Sequence, residues 1–536
     1  MDKTSFIVVT ICVILLFLTW PGMPQQPVAT QSPQSQTQTS TPSTPQKASA
    51  ETVQAAPLKT APLKEFPIQT LESDGLVLTF DKNGSGIASA EFKKHLSEDK
   101  KSNYTIDASA SPFLSIKSTV TTDIAKSGNT VTIDGVIKNT AMQVRRTLVL
   151  NDENPYLING ELQITNNGKV TMSPGAILFN AGSMSPLSPE KTGFMYSGDN
   201  NQQISYKEQE GDVDELTLGK IKDMNAIARH VTENIDWLAV ENRYFCTILT
   251  PEIAFDAFSM ETAGIGSKEA KSLSGFGQLS VATIQPGQSV TVKFNAYIGP
   301  KQFSYLSTLG QGQEDILDLG WSFIRPLSKL VLKMLGILSG IGYGLAIILI
   351  TLLIKTLFWP ITHKSQVSMR KMSELQPVIK ELKAKYKDNP QMMQMKTMEA
   401  YRANKVNPLG GCLPMLIQIP VFFALYSTFR SAVELRHVSF LWCADLARPD
   451  TIATIFSLAI NPLALIMVFS MLAQQMLTPT TGDPNQKKMM MIMPLIMLLF
   501  MYNMPAALTL YWTVNQFISI IQQYYTNRSI KKKKQA

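Results

Sequence analysis

The sequence is poor in the residues from which most enzymes build active sites, with four cysteines and four histidines in 536 residues. Cys12, Cys246, Cys412 and Cys443 lie far apart without CxxC spacing, which excludes a zinc ribbon and a disulfide framework. His95, His230, His363 and His437 are each isolated, so no HExxH helix or local histidine metal set can form. There is no GxSxG elbow, and Gly264-Ile-Gly266-Ser-Lys268 lacks the spacing of a phosphate-binding loop. Nucleotide-driven work, a metal centre and a cofactor are therefore not expected, and the chain reads as a non-enzyme.

Acidic residues are scarce in one part of the chain only. Residues 21–340 carry 27 Lys/Arg and 32 Asp/Glu, a net of −5, whereas residues 341–536 carry 21 and 8, a net of +13. The basic part also holds the long apolar runs and 18 of the 26 methionines, counted from Met334. Basic charge beside apolar runs points to a membrane and not to specific DNA.

The pattern along the chain implies a multi-span α-helical membrane protein with an all-β sandwich domain. An uncharged run from Ser5 to Trp20 reads as an N-terminal transmembrane anchor (1–20) or a signal peptide. Residues 21–69 are rich in Pro, Gln, Ser and Thr and form a disordered tether. Over 70–301 short β-branched runs such as Leu76-Val-Leu-Thr-Phe80 and Val144 to Leu150 alternate with turn residues, the mark of an antiparallel sandwich. Within 302–340, Ile316, Leu319, Phe323, Leu327, Leu330 and Met334 fall on one helical stripe. That predicts an amphipathic helix from Glu314 to Leu335 kinked at Pro326, lying in the membrane interface or packed on the sandwich.

Five apolar segments follow, Ile341–Trp359, Leu413–Phe429, Ile452–Ala473, Met489–Met504 and Ala506–Ile521, which make six transmembrane helices with the anchor, five of them forming a core bundle over 341–526. A basic tail occupies 527–536. Ten Lys/Arg against four acids over 361–405, and the tail lysines, place that segment and both termini in the cytoplasm with the sandwich outside. Several spans are short, because 16 residues rise about 24 Å against a hydrocarbon core of about 30 Å. Residues 361–405 read as a helical hairpin turning at Asp388-Asn-Pro390, with Met372, Leu375, Ile379, Leu382 and Tyr386 facing Met392, Met395, Met398 and Tyr401. Lys371, Lys380, Lys383, Lys385 and Lys387 remain on its surface, either as a solvated face or as a docking surface.

One charge stands out. Lys355 lies inside the second span with Thr351 four residues before it. A cation at a helix centre costs about 2.5–3.5 kcal/mol on insertion scales, so such residues face a bundle interior or a watery cavity, although Lys355 is near enough to Trp359 to reach the interface. Gln418, Tyr426, Asn461, Tyr511, Asn515 and Ser519 are polar residues in the other spans that could line a groove with it.

The run Asn407-Pro-Leu-Gly-Gly-Cys-Leu-Pro-Met-Leu-Ile-Gln-Ile-Pro420, continuing to Tyr426, resembles the hallmark of the YidC family of membrane protein insertases. Leu375-Gln-Pro377, Thr478 to Pro484, Ile521-Gln-Gln523, Trp237 to Pro251 and Tyr297-Ile-Gly-Pro-Lys301 resemble the same family. The resemblance implies a bacterial inner-membrane insertase and chaperone with a periplasmic β-supersandwich, acting on nascent membrane proteins alone or with the Sec translocon, the ribosome and a targeting receptor as further partners. It also implies a groove whose arginine is replaced here by Lys355, which keeps the charge and loses the guanidinium fork. A secondary solute transporter using Lys355 as a substrate or proton site is the alternative, and inverted repeats that would favour it are absent from the spans.

Overall fold

The computed structural model describes residues 65–535 apart from 186, 188–201, 210, 218–226, 231–233, 265–270, 405, 407–412, 457 and 479–483. The expected anchor and most of the tether lie outside the described residues.

Strict alternation builds the β domain. In Leu76–Phe80 and Met142–Leu150 every second side chain is buried, so one face of each strand enters the core. Four strands, β1 (Thr70–Glu72), β2 (Leu76–Phe80), β3 (Ile87–Leu96) and β4 (Asn103–Asp107), form an antiparallel meander. Next come β5 (Thr119–Ser127), β6 (Thr130–Ile137), β7 (Met142–Leu150), β8 (Leu157–Asn166), β9 (Ala176–Met184), β10 (Gln203–Glu208) and β11 (Val213–Thr217). The domain is completed by β12 (Ile227–His230), β13 (Ile235–Glu241), β14 (Phe245–Pro251), β15 (Ala257–Gly264), β16 (Lys271–Ser280) and β17 (Ser289–Pro300). A nine-stranded sheet runs β11-β10-β13-β14-β17-β8-β7-β6-β5, and a second four-stranded sheet runs β12-β15-β16-β9. Trp237, Tyr156, Tyr297, Phe92, Phe179, Phe245 and Phe258 are among the large side chains buried between the sheets.

A buried ion pair sits in this core. Lys301 Nζ lies 2.5 Å from Glu241 Oε2, and Glu241 also accepts hydrogen bonds from Ser205 and, at 2.9 Å, from Gln203 Nε2. Burial pulls the Lys301 ammonium down, but Glu241 more than offsets this and holds it above the ordinary lysine value.

The helical part departs from the expected pattern at four places. A 3₁₀ turn at Gln313–Ile316 and a loop replace the first half of the amphipathic helix, because Gly320 adopts φ 83° and leaves the helical region. After a short helix α1 (Phe303–Leu306), α2 therefore starts at Arg325, and Pro326 occupies its first turn instead of kinking it, a position where the missing N–H is harmless. Its buried face is Ser328, Val331, Leu332 and Leu335, packed against α3 (Tyr343–Glu374) and α6 (Leu413–Ser431). Helix α3 continues through Pro360 and supplies the first arm of the hairpin, followed by α4 (Gln376–Lys385) and α5 (Pro390–Ala403).

In that hairpin the Asn389 side chain caps α5 by accepting from the Met392 amide at 3.0 Å. On α5, Met393, Thr397, Ala400 and Tyr401 are half-buried, so Tyr401 keeps its place on the expected stripe while Met392, Met395 and Met398 are exposed, contrary to it. The run Ile452–Ala473 is not one helix. Strands β18 (Ala453–Ile455) and β19 (Leu458–Ile460) form a hairpin, and helix α7 begins only at Pro462 and ends at Leu477. Asp450 decides the break, since its carboxylate accepts the Leu463 amide at 2.6 Å and the Trp442 indole at 3.0 Å. Helices α8 (Pro484–Met501) and α9 (Ala506–Gln535) complete the chain. Among the described residues α3 alone is long and apolar enough to cross a membrane by length and composition, and α7 and the Met491–Met501 part of α8 are apolar but shorter.

Arg436 joins the two parts. Its guanidinium donates to the Leu96 carbonyl at 2.6 Å, pairs with Glu98 at 3.1 Å and lies over the rings of Tyr104, Tyr244 and Phe245. Arg448 also pairs with Glu98, and Lys100 donates to the Ala444 carbonyl at 3.0 Å. His95 stands beside this cluster. Burial, then Arg436, Lys94 and His437, push its imidazole down to about 4.

Lys301→Met leaves Glu241 buried without its cation and should destabilise the domain by about 3–5 kcal/mol, while Glu241→Gln with Lys301→Met should recover most of the loss, read as chemical denaturation midpoints. His95 binds its proton more weakly when folded than when unfolded, so stability present above pH 6.5 should fall as pH drops toward 4, and His95→Gln should flatten the melting-temperature profile in that window.

Candidate functional site

Lys355 lies on the side of α3 that meets α9, beside Ser519. Its Nζ donates to Ser519 Oγ at 2.7 Å, and the serine hydroxyl in turn donates to the Asn515 carbonyl at 2.7 Å. The ammonium is half-buried, with Thr351 fully buried one turn above and bonded back to the Ile347 carbonyl at 2.7 Å. Thr351 therefore packs at the site without offering its hydroxyl to it. A second polar contact joins Gln418 on α6 to the Tyr511 hydroxyl on α9, both helices having their β-domain ends at Arg430 and Ala506.

The two contacts lie at different depths. Eight residues separate Tyr511 from Ser519, about 12 Å of helix, while α6 begins only five residues before Gln418 and reaches about 8 Å beyond it. Lys355 thus lies past the described end of α6, where α3 and α9 pair without it. Asn515 is buried between the two levels. Two expected members lie elsewhere. Tyr426 accepts from Arg430 Nη1 at 2.9 Å near the β-domain end, and Asn461 donates to the Tyr502 carbonyl at 2.6 Å in the turn between α8 and α9. The five hairpin lysines, Lys371, Lys380, Lys383, Lys385 and Lys387, are all exposed.

Sequence reasoning stopped at Ile521 and missed the continuation of the polar seam. Below Lys355, Gln522 Nε2 donates to Thr362 Oγ1 at 2.7 Å and to the Trp359 carbonyl at 3.4 Å. His363 Nδ1 and Thr526 Oγ1 are 3.1 Å apart, and Arg370 Nη1 donates to the Asn527 carbonyl at 3.1 Å. Residues 511, 515, 519, 522 and 526 follow one another at three and four, so the stripe on α9 was legible past the end of the apolar run. The Gln522 and His363 contacts lie beside Pro360, which has no N–H to give although α3 continues through it, and Thr362 Oγ1 also donates to the carbonyls of Phe358 and Trp359.

The two halves of the chain have separate matches. A family model described as 60Kd inner membrane protein matches residues 334–534, and one described as YidC periplasmic domain matches residues 68–330. The chain belongs to the YidC family. A membrane protein insertase YidC of Pelobacter propionicus is 41% identical over 329 residues, covering 59% of this chain and 58% of that protein. One of Syntrophus aciditrophicus is 35% identical over 379 residues, covering 70% and 65%. The matched region thus spans a little under two thirds of these relatives' length. An active YidC insertase crystal structure with its first transmembrane domain resolved aligns with 86% of this chain and 95% of that one, at 19% identity and a TM-score of 0.35. The relatives are named insertases, which gives the transporter reading no support.

Thr362→Val removes one interhelical bond of the seam and Gln522→Leu removes that bond and the one to the Trp359 carbonyl. Each should loosen the α3–α9 pair by about 0.6–1.7 kcal/mol, the range for such bonds in membranes, read by denaturation in lipid bicelles.

Proposed function

We propose that this member of the YidC family is a membrane protein insertase and chaperone of the bacterial inner membrane, spanning it six times with both termini cytoplasmic and the β domain in the periplasm. The observation that carries the reading is Lys355, a cation within the apolar part of α3 that is bonded across to α9 at Ser519 where the described part of α6 no longer covers it. Around it α3, α7, α8 and α9 turn Leu353, Leu357, Phe469, Leu472, Leu495, Leu499 and Phe517 outward, an apolar belt suited to lipid. The basic surplus of 361–405 and of the tail orients the bundle.

The groove begins at Lys355 and Ser519 and rises past Asn515 to Gln418 and Tyr511. A nascent chain moving its hydrophilic end through lipid loses hydration, and the groove's hydroxyls, amides and ammonium replace part of that water. The positive charge favours acidic segments. The short span α7, 16 residues or about 24 Å, shortens the apolar distance further by thinning the bilayer. Burial of the client's own apolar helix in lipid then drives release. The exposed lysines of the hairpin would receive the ribosome or a targeting receptor, and the Sec translocon would act beside the bundle.

Lys355→Ala should reduce insertion of clients with acidic translocated tails into proteoliposomes by about tenfold, the equivalent of 1.4 kcal/mol, while Lys355→Arg retains activity. Equal insertion by all three forms would remove the role given to this charge.

A further inference from the structure

Two tight turns in the connection between α6 and α7 are built from the wrong residues for a turn in water. In the first, Phe440 and Cys443 exchange backbone hydrogen bonds of 2.9 Å in both directions, and Leu441-Trp442 forms the tip. In the second, Ile455 pairs with Leu458 across the β18–β19 hairpin, and Phe456 opens the turn. Leu441 has φ 53° and Phe456 φ 48°, the left-handed region in which two-residue hairpins favour Asn and Gly. Of the seven described non-glycine residues with positive φ, these two alone are large, apolar and exposed. Leu441 is 71% exposed and Phe456 fully so.

Neither turn is a loose loop. Phe440 lies on the first turn of α3, where a Cβ at Gly344 would enter its ring, and the Trp442 indole is tied to Asp450 at 3.0 Å. The β18–β19 hairpin is fixed at its base by Ile452 N to Ile460 O at 3.0 Å, by Thr451 Oγ1 to Asn461 Oδ1 at 2.7 Å, and by the Tyr502 hydroxyl on the Ala459 carbonyl. The protein thus holds two bulky residues in strained backbone while burying neither. Both tips lie at the end of the bundle nearest the β domain, where Lys100 reaches Ala444 and Arg436 reaches Leu96.

We infer that Leu441-Trp442 and the Phe456 turn are paired apolar tips that enter the outer leaflet of the bilayer at the headgroup–acyl boundary. This rests on the membrane reading above and adds to it a lipid contact outside the spans. Three observations favour lipid over a protein partner. Residues 451–461 and 438–443 contain no charged residue, so neither tip carries the polar rim of a protein-binding surface. The tips continue the apolar belt, since Ile452 and Ile455 are exposed directly before α7 and Phe469 and Leu472 along it. Helix α7 is about 6 Å shorter than the hydrocarbon core, and the hairpin adds apolar length at its N-terminal end. Trp442, half-exposed with its N–H bonded inward, has the amphipathic placement of interfacial aromatic residues.

The test is nitroxide depth measurement in proteoliposomes of the full chain, with Cys12, Cys246, Cys412 and Cys443 replaced and one label at Leu441→Cys, Phe456→Cys, Leu353→Cys or Val170→Cys. Leu353 is exposed on α3 and reports the bilayer, while Val170 is exposed on the β domain and reports water. The expected result is an oxygen-to-nickel accessibility ratio at 441 and 456 well above that at 170 and approaching that at 353. Ratios at 441 and 456 equal to that at 170, with 353 still oxygen-favoured, overturn this proposal and leave the membrane reading standing. A nickel-favoured label at 353 overturns both. Low access to both reagents at 441 and 456 means that protein covers the tips, which also overturns it. Phe456→Trp in the otherwise native chain gives an independent check, because its added emission should be quenched by lipids brominated near the headgroup end of the acyl chain and left unquenched if the tip is in water.

Discussion

A cation set among apolar residues on a long helix must find its partners on another helix, because the carbonyls of its own backbone are already committed and lipid offers none. Lys355 meets this requirement on Ser519, and the requirement fixes which faces of α3 and α9 come together. Once those faces are in register, Thr362, His363 and Arg370 fall opposite Gln522, Thr526 and Asn527, and the break that Pro360 would make in α3 lies within the bonded seam. Helix α6 meets this pair through the Gln418–Tyr511 contact.

At the other end of the bundle a second cation orders a different boundary. Arg436 is held by a carboxylate, a carbonyl and three aromatic rings, and its partners come from β3, β4 and β14 of the β domain. Glu98 serves both Arg436 and Arg448, so the domain is clamped to the α6–α7 connection at two points through one carboxylate. The guanidinium suits this role because its fixed fork can bond and stack at once. A buried lysine in its place would satisfy the charge and lose the stacking.

The β domain was legible because period-two alternation leaves little choice about which face is inside, as Met142–Leu150 illustrates. Lys355 was legible for the opposite reason, as the one charged residue inside the apolar run of 341–359. The errors have physical causes of their own. Ile452 to Ala473 carries no charge and has no clear period, so hydropathy could not separate a hairpin from a helix, and the Asp450 cap that separates them acts across thirteen residues. In α5 only Tyr401 of the expected stripe is half-buried, because a helix with an apolar residue at 392, 393, 395 and 398 offers composition no single face to choose. Tyr426 and Asn461 were polar residues in apolar runs, as Gln418 was, and only the positions of Arg430 and Tyr502 show that they serve local bonds.

Helix α3 is one uninterrupted rod of 32 residues, about 48 Å long. It carries Lys355 near its middle and ends at Glu374, directly against the lysine-bearing hairpin. Had the chain broken at Pro360, the hairpin would be an appendage without a rigid connection to Lys355. Because it does not break, the two are ends of one lever. Under the proposed topology a tilt of the hairpin arm would carry the Lys355 ammonium with it, and the hydrogen bonds to α9 at Ser519, Gln522 and Thr526 are the contacts such a tilt would have to strain.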